Sequence, residues 1–148
     1  MFKRVLLCYD GSEAGRRALR RGADLAILLE SKVFVLSIVP PEELDPNLIA
    51  SAAGHACVAE GKSTHYRRLM DESVEWLQSR GVSAEGFLTS GNTLDEISVH
   101  AKRLDIDLIV LGHYPQPAGG LWWTKGSRST LAERVNCCIL MAIEPGKP

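Results

Sequence analysis

Val5-Leu6-Leu7-Cys8-Tyr9-Asp10-Gly11-Ser12 stands almost at the start of the chain. Its first five residues are an apolar run of strand length. Asp-Gly-Ser behind them is a turn signal. Ser12 is also a natural helix N-cap, and Glu13 falls in the first turn, where a negative charge suits the helix dipole. Strand, sharp turn and helix start in this order predict a β-α unit. The helix runs to about Leu29. Arg16, Arg17, Arg20 and Arg21 share one of its faces, opposite Ala18, Gly22, Leu25, Ala26 and Leu29. The arginines therefore read as a solvated face.

The same pattern continues outward. Val33 to Val39 is a second buried strand, stopped by Pro40-Pro41. Residues 40 to 58 are irregular and read as a lid or a variable excursion. Tyr66, Leu69, Met70, Ser73, Val74 and Leu77 then recur at helical spacing, and Gly81 closes that helix. Ala84 to Thr89 is a weaker strand. Glu85 and Gly86 interrupt it, which suits a sheet edge. Thr93 to Arg103 is the next helix, capped by Asn92 or Thr93. Leu108-Ile109-Val110-Leu111 is the cleanest buried strand and ends at Gly112. A glycine-containing loop leads to Gly126-Ser127 and a short helix reaching about Val135. Cys138 to Ile143 is the last strand.

Strands that are apolar throughout are buried on both faces, the habit of parallel sheets. The alternation therefore predicts an α/β chain with a doubly wound, Rossmann-like parallel sheet and helices on both faces. The 148 residues suit one domain over 1–148.

Composition excludes several functions. With 17 basic and 18 acidic side chains the net charge is −1, so no global field gathers nucleic acid or an anionic membrane. No stretch approaches the ~20 apolar residues of a spanning helix, and the first strand is too short for a signal peptide. The expected location is the cytoplasm. Cys8, Cys57, Cys137 and Cys138 show no C-x-x-C pairing. Cys8 and Cys138 sit in strand-like runs, where a reduced cysteine is a small core hydrophobe. Cys137-Cys138 therefore read as buried thiols, with a redox-sensing pair as the alternative.

In open parallel sheets ligands bind beyond the carboxyl ends of the strands, where strand order reverses. Three such ends carry informative residues: Asp10-Gly11-Ser12, Gly112-His113-Tyr114 and Gly126-Ser127-Arg128-Ser129. Amides at the start of the last helix would hold an anion, with Ser127 and Ser129 adding hydroxyls and Arg128 a charge. Asp10 would meet a ligand hydroxyl or a Mg²⁺ ion held against phosphates. Each segment is also an ordinary turn or cap. Other motifs do not hold together. Gly61-Lys62-Ser63 has the end of a P-loop but Ala56 where that motif needs glycine. His55, Cys57 and His65 fit no standard zinc spacing. Trp122-Trp123 would stack on a ligand or partner, or pack one ring on the domain.

These residues together resemble the universal stress protein family over essentially the whole chain. Asp10-Gly11-Ser12, Asp107 to Gly112, Gly119-Gly120-Leu121, Gly126-Ser127 with Ser129, and Val135 to Leu140 carry the resemblance. It implies a five-stranded sheet in the order 3-2-1-4-5. It also implies ATP with Mg²⁺ in some members, adenine against the main chain of Ile38 and Val39, and ligand-binding roles for Asp10, Gly112, Gly126, Ser127 and Ser129, with the amides of Gly126 to Ser129 holding phosphates. The ATP-binding members carry Gly-x-x-Gly-x9-Gly-Ser/Thr. Here the second glycine is Pro115, and the spacing to Gly126 is one residue longer. Proline donates no N–H and cannot take positive φ. The implied function is a nucleotide-binding stress or signalling module without efficient catalysis, His113 being the best-placed but weak base. The alternative is a nucleotide-free dimer that acts through protein contacts. Many members pair through the last strand, here Ile139 to Ile143, whose edge needs cover.

Overall fold

The computed structural model describes residues 1–39, 60–112 and 127–142. Among these are five strands and four helices. They are β1 (Arg4–Cys8), α1 (Glu13–Leu29), β2 (Lys32–Val39), α2 (Glu60–Ser79), β3 (Ser83–Ser90), α3 (Thr93–Arg103), β4 (Leu108–Gly112), α4 (Ser127–Arg134) and β5 (Cys138–Ala142). The strands form one sheet in the order β3-β2-β1-β4-β5, parallel at each pairing. The expected order and the edge position of β3 are both observed.

Alternate residues of each strand serve opposite layers. Val5 and Leu7 of β1, Val33 and Val35 of β2 and Val110 of β4 point toward α1 and α2. There they meet Ala18, Ala23, Met70 and Leu77. Leu6, Phe34, Leu36, Ile109 and Leu111 point the other way, onto Ile97 and Ala101 of α3 and Leu131 of α4. The arginine face of α1 is turned outward, as its spacing predicts, while Ala14, Gly15, Ala18, Leu19, Gly22, Ala23 and Ala26 are buried.

Small residues set how closely the layers approach. A Cβ on Gly22 would lie 2.4 Å from Leu7 Cδ2, and one on Gly86 would lie 3.0 Å from Met70 Cγ. Gly86 thus interrupts the hydrophobic pattern of β3 because α2 lies directly on it. Gly81 takes φ +82° after α2, which suits glycine. Asn92 caps α3 by accepting the Asp95 N–H at 3.2 Å.

One carboxylate ties the amino edge of the sheet together. Asp107 accepts the Lys3 N–H at 2.8 Å and the Arg4 N–H at 3.1 Å. Its own N–H donates to the Arg4 carbonyl at 3.0 Å, and its carbonyl accepts the Cys138 N–H at 3.2 Å. The starts of β1, β4 and β5 therefore converge on one residue.

Cys8 is buried, but Cys137 is half-buried and Cys138 exposed, so the adjacent thiols are not core residues. The reason is topological: β5 is an edge strand paired only with β4 among the described residues, and an apolar run reads alike at an edge and in the middle. The 40 to 58 stretch with His55 and Cys57 lies outside the described residues.

Candidate functional site

Strand order reverses between β1 and β4, which are hydrogen-bonded neighbours with their next strands on opposite sides. The crevice of such a sheet lies beyond these two carboxyl ends. β1 leads there into Asp10-Gly11-Ser12. Tyr9 extends the ladder by one bond, its N–H donating to the Leu36 carbonyl at 3.0 Å. Asp10 follows with 9% of its surface exposed. Its Oδ1 accepts the Ser12 N–H at 2.9 Å and also the Ser12 hydroxyl. Ser12 Oγ in turn accepts the Gly15 N–H at 3.0 Å and caps α1.

Asp10 and Ser12 thus form one chain of bonds that fixes the turn and satisfies the first turn of α1. Gly11 makes the turn possible at φ +83°, and a Cβ there would meet Leu69 Cδ1 at 2.5 Å. The turn-and-cap reading of Asp-Gly-Ser is therefore correct. It also places a nearly buried carboxylate at the switch point in a fixed orientation.

Gly112 closes β4 against the same helix. A Cβ on it would lie 2.5 Å from the Ala14 carbonyl oxygen, 2.7 Å from the Ala14 carbonyl carbon and 3.0 Å from the Gly15 nitrogen. The glycine is required by backbone packing, whatever binds nearby. Ile38 and Val39 have no exposed surface. Main chain and side chain alike are covered, and the Val39 carbonyl accepts the Gly91 N–H at 3.3 Å.

The phosphate side of the expected site is partly described. Ser127, Arg128 and Ser129 form the first turn of α4. Three residues separate the end of this helix from β5, which runs parallel to β4. Eight residues at about 1.5 Å rise span ~12 Å, so α4 runs from the carboxyl edge of the sheet back toward the amino edge, where β5 begins. Its N-terminal amides therefore face the end that Asp10 occupies. His113, Pro115, Gly126 and the tryptophans 122 and 123 lie outside the described residues. Gly61-Lys62-Ser63 fall within α2, not in a loop after a strand, so the P-loop reading is excluded.

Metal chemistry has one candidate group here. Among the described residues no three of His, Cys, Asp and Glu gather as ligands. A single carboxylate such as Asp10 suits Mg²⁺, which keeps waters and takes its other ligands from phosphates. No helix among the described residues is long and apolar enough to cross a membrane.

Sequence reasoning missed the role of Asp107, because a carboxylate that braces backbone amides has no motif. It also missed a groove between α1 and α2, floored by Tyr9 and Ser73 and bordered by charged side chains. Its residues come from segments some fifty positions apart in the sequence, and only the Arg16–Arg20 spacing hints at it.

Comparison with known proteins agrees with this fold. The sequence pattern of the universal stress protein family matches residues 1–128. Universal stress protein Sll1388 of Synechocystis is 28% identical over 149 residues, covering 95% of this chain and 97% of that protein. A universal stress protein solved in complex with cAMP superposes with a TM-score of 0.69 at 18% identity, covering 95% of this chain and 96% of that one. The universal stress protein from Archaeoglobus fulgidus in complex with dAMP gives a TM-score of 0.63 at 15% identity, covering 95% and 97%.

Proposed function

We infer that this chain, which belongs to the universal stress protein family, binds an adenine nucleotide at the carboxyl ends of β1 and β4. The single observation that carries the reading is the pairing of two groups at the strand-order switch. Asp10 is held there by Ser12, and the N-terminus of α4 is directed to the same edge. An anion favours the helix amides, and a ribose hydroxyl or a phosphate-bound Mg²⁺ favours the carboxylate. In this reading the amides of Ser127 to Ser129, with Gly126 before them, hold phosphate. Gly112 and His113 border it, and the base lies past the end of β2, which Ile38 and Val39 form. The solved relatives with cAMP and dAMP support a nucleoside monophosphate as the minimum ligand. ATP with Mg²⁺ extends the same site, and a stress-response role follows from the family.

The test is direct. The purified protein is denatured with acid and the supernatant run for nucleotides. AMP and ATP are then titrated by calorimetry with and without Mg²⁺. Bound or titratable nucleotide is expected. Ser127→Ala with Ser129→Ala, which keeps the amides and removes the two hydroxyls proposed to add to them, should weaken it, each charge-assisted bond being worth roughly 1.5–3 kcal/mol. No released nucleotide and no heat with millimolar AMP or ATP would overturn the assignment.

A second reading concerns assembly, and the surface of β5 favours it. Leu140 and Met141 are each 40% exposed on an edge strand. Unpaired backbone beside apolar side chains invites a second strand. We propose that two copies pair through β5, from Ile139 toward Ile143, in a closed two-fold dimer. The protein should scatter light as a dimer at micromolar concentration and as a monomer after Leu140→Glu. A monomer before the substitution contradicts the pairing.

A further inference from the structure

A further cavity, of about 260 Å³ and lined by both polar and apolar side chains, lies between α1 and α2; its floor residue Tyr9 directly precedes Asp10. Tyr9 and Ser73 form its floor, at 5% and 4% exposure. Arg16 and Arg20 approach from α1. Glu72 and Trp76 approach from α2. Two guanidinium groups against one carboxylate leave the lining net positive.

The Ser73 hydroxyl is used, donating to the Leu69 carbonyl at 2.7 Å. The Tyr9 oxygen accepts the Arg16 Nε–H at 3.4 Å. The Tyr9 hydroxyl hydrogen, which no bond among the described residues uses, can donate to an acceptor seated in the groove. A ligand oxygen carrying negative charge would accept from Tyr9 and pair with Arg16 and Arg20, which stand one helical turn apart. Trp76, half-buried and with the Arg80 guanidinium 5.2 Å from its ring centre, supplies an aromatic wall with its remaining surface. The volume is close to the lower limit of small-molecule pockets, roughly 300 Å³.

We propose that the α1–α2 groove is a second ligand site, for a small anion built on a single aromatic ring, an aryl phosphate or aryl carboxylate. The anionic group lies between Arg16, Arg20 and the Tyr9 hydroxyl. The ring lies against Trp76. The site shares no side chain with the nucleotide site and stands or falls separately from it.

Phenyl phosphate is the probe, read by amide and indole N–H shifts in ¹⁵N-labelled protein. The shifts should concentrate on residues 16 to 20 and 72 to 76 and on the Trp76 indole. They should saturate below about 10 mM and persist with AMP present. Arg16→Gln with Arg20→Gln, both exposed positions, should weaken binding at least tenfold. Tyr9→Phe should weaken it severalfold, and Arg21→Gln should leave it unchanged. Benzoate should bind at the same residues, and inorganic phosphate much more weakly for want of a ring. The proposal is overturned by no shift at about 10 mM, by equal affinity in the double arginine variant, or by displacement with AMP.

Discussion

Gly112→Ala should destabilise the protein through contact with backbone, independently of any ligand. The new Cβ would stand 2.5 Å from the Ala14 carbonyl oxygen and 2.7 Å from its carbon. An ordinary carbon–carbon contact needs about 3.5–4.0 Å, so the first turn of α1 or the end of β4 must retreat by close to an ångström. The helix cannot yield by turning one side chain, because the Ser12 cap and the Asp10 carboxylate hold that turn. Overpacking of this kind costs about 1–3 kcal/mol. With a urea slope of roughly 1–3 kcal/mol/M, the unfolding midpoint should fall by about 1 M with the slope unchanged. Gly22→Ala is the useful comparison. Its clash, at 2.4 Å, is with the end of the Leu7 side chain, and alanine returns about 1 kcal/mol of helix propensity. It should therefore cost clearly less than Gly112→Ala. Equal midpoints for Gly112→Ala and the parent protein would mean that β4 and α1 do not meet as described.

Other consequences follow from the same bonds. Asp107→Ala removes the acceptor of the Lys3 and Arg4 amides; with one bond exposed, about 1–3 kcal/mol in urea unfolding is expected. Ser12→Ala should cost about 0.5–2 kcal/mol and Ser12→Gly only a few tenths, measured the same way, because a cap is lost in the first and mostly tolerated in the second. A thiol reagent should label Cys138 at once and Cys137 slowly, its thiol pushed up by burial and by the neighbouring Cys138. Cys8 should react only on unfolding. Burial, and then the Asp10 charge, raise the Cys8 thiol. The folded protein therefore keeps a proton that the unfolded chain releases above about pH 8.5. Stability from this group is full below that pH and falls above it by up to about 1.4 kcal/mol per pH unit. Cys8→Ala should remove that share of the alkaline slope, as denaturant titrations at pH 8 to 10 will show.

Much of the fold was legible because burial on both faces leaves a plain mark. Val5 to Tyr9, Val33 to Leu36 and Leu108 to Leu111 are apolar without alternation, the habit of a sheet covered by helices on both faces. Glu85 and Gly86 correctly marked an edge, though Gly86 serves the packing of Met70 as well. The run from Cys138 misled in part. Its composition matches a central strand, and nothing local records that β5 has one neighbour. The site was legible as a location. Asp10-Gly11-Ser12 and Gly112 fall at the switch point, yet both have structural duties that the motif conceals: a turn lock for Asp10 and a backbone contact for Gly112. The α1–α2 groove was not legible, because Tyr9 and Ser73 look like ordinary core positions until the two helices are set side by side.

The central claim is that nucleotide lies between Asp10 and the start of α4. Titrating AMP into ¹⁵N-labelled protein tests it most directly. The account predicts that the largest amide shifts fall on Asp10 to Ser12, Gly112 and Ser127 to Ser129, with Tyr9 side-chain neighbours such as Ser73 and Trp76 little changed. Shifts that spare both Asp10 and Ser127 to Ser129, or none at saturating AMP, would contradict it.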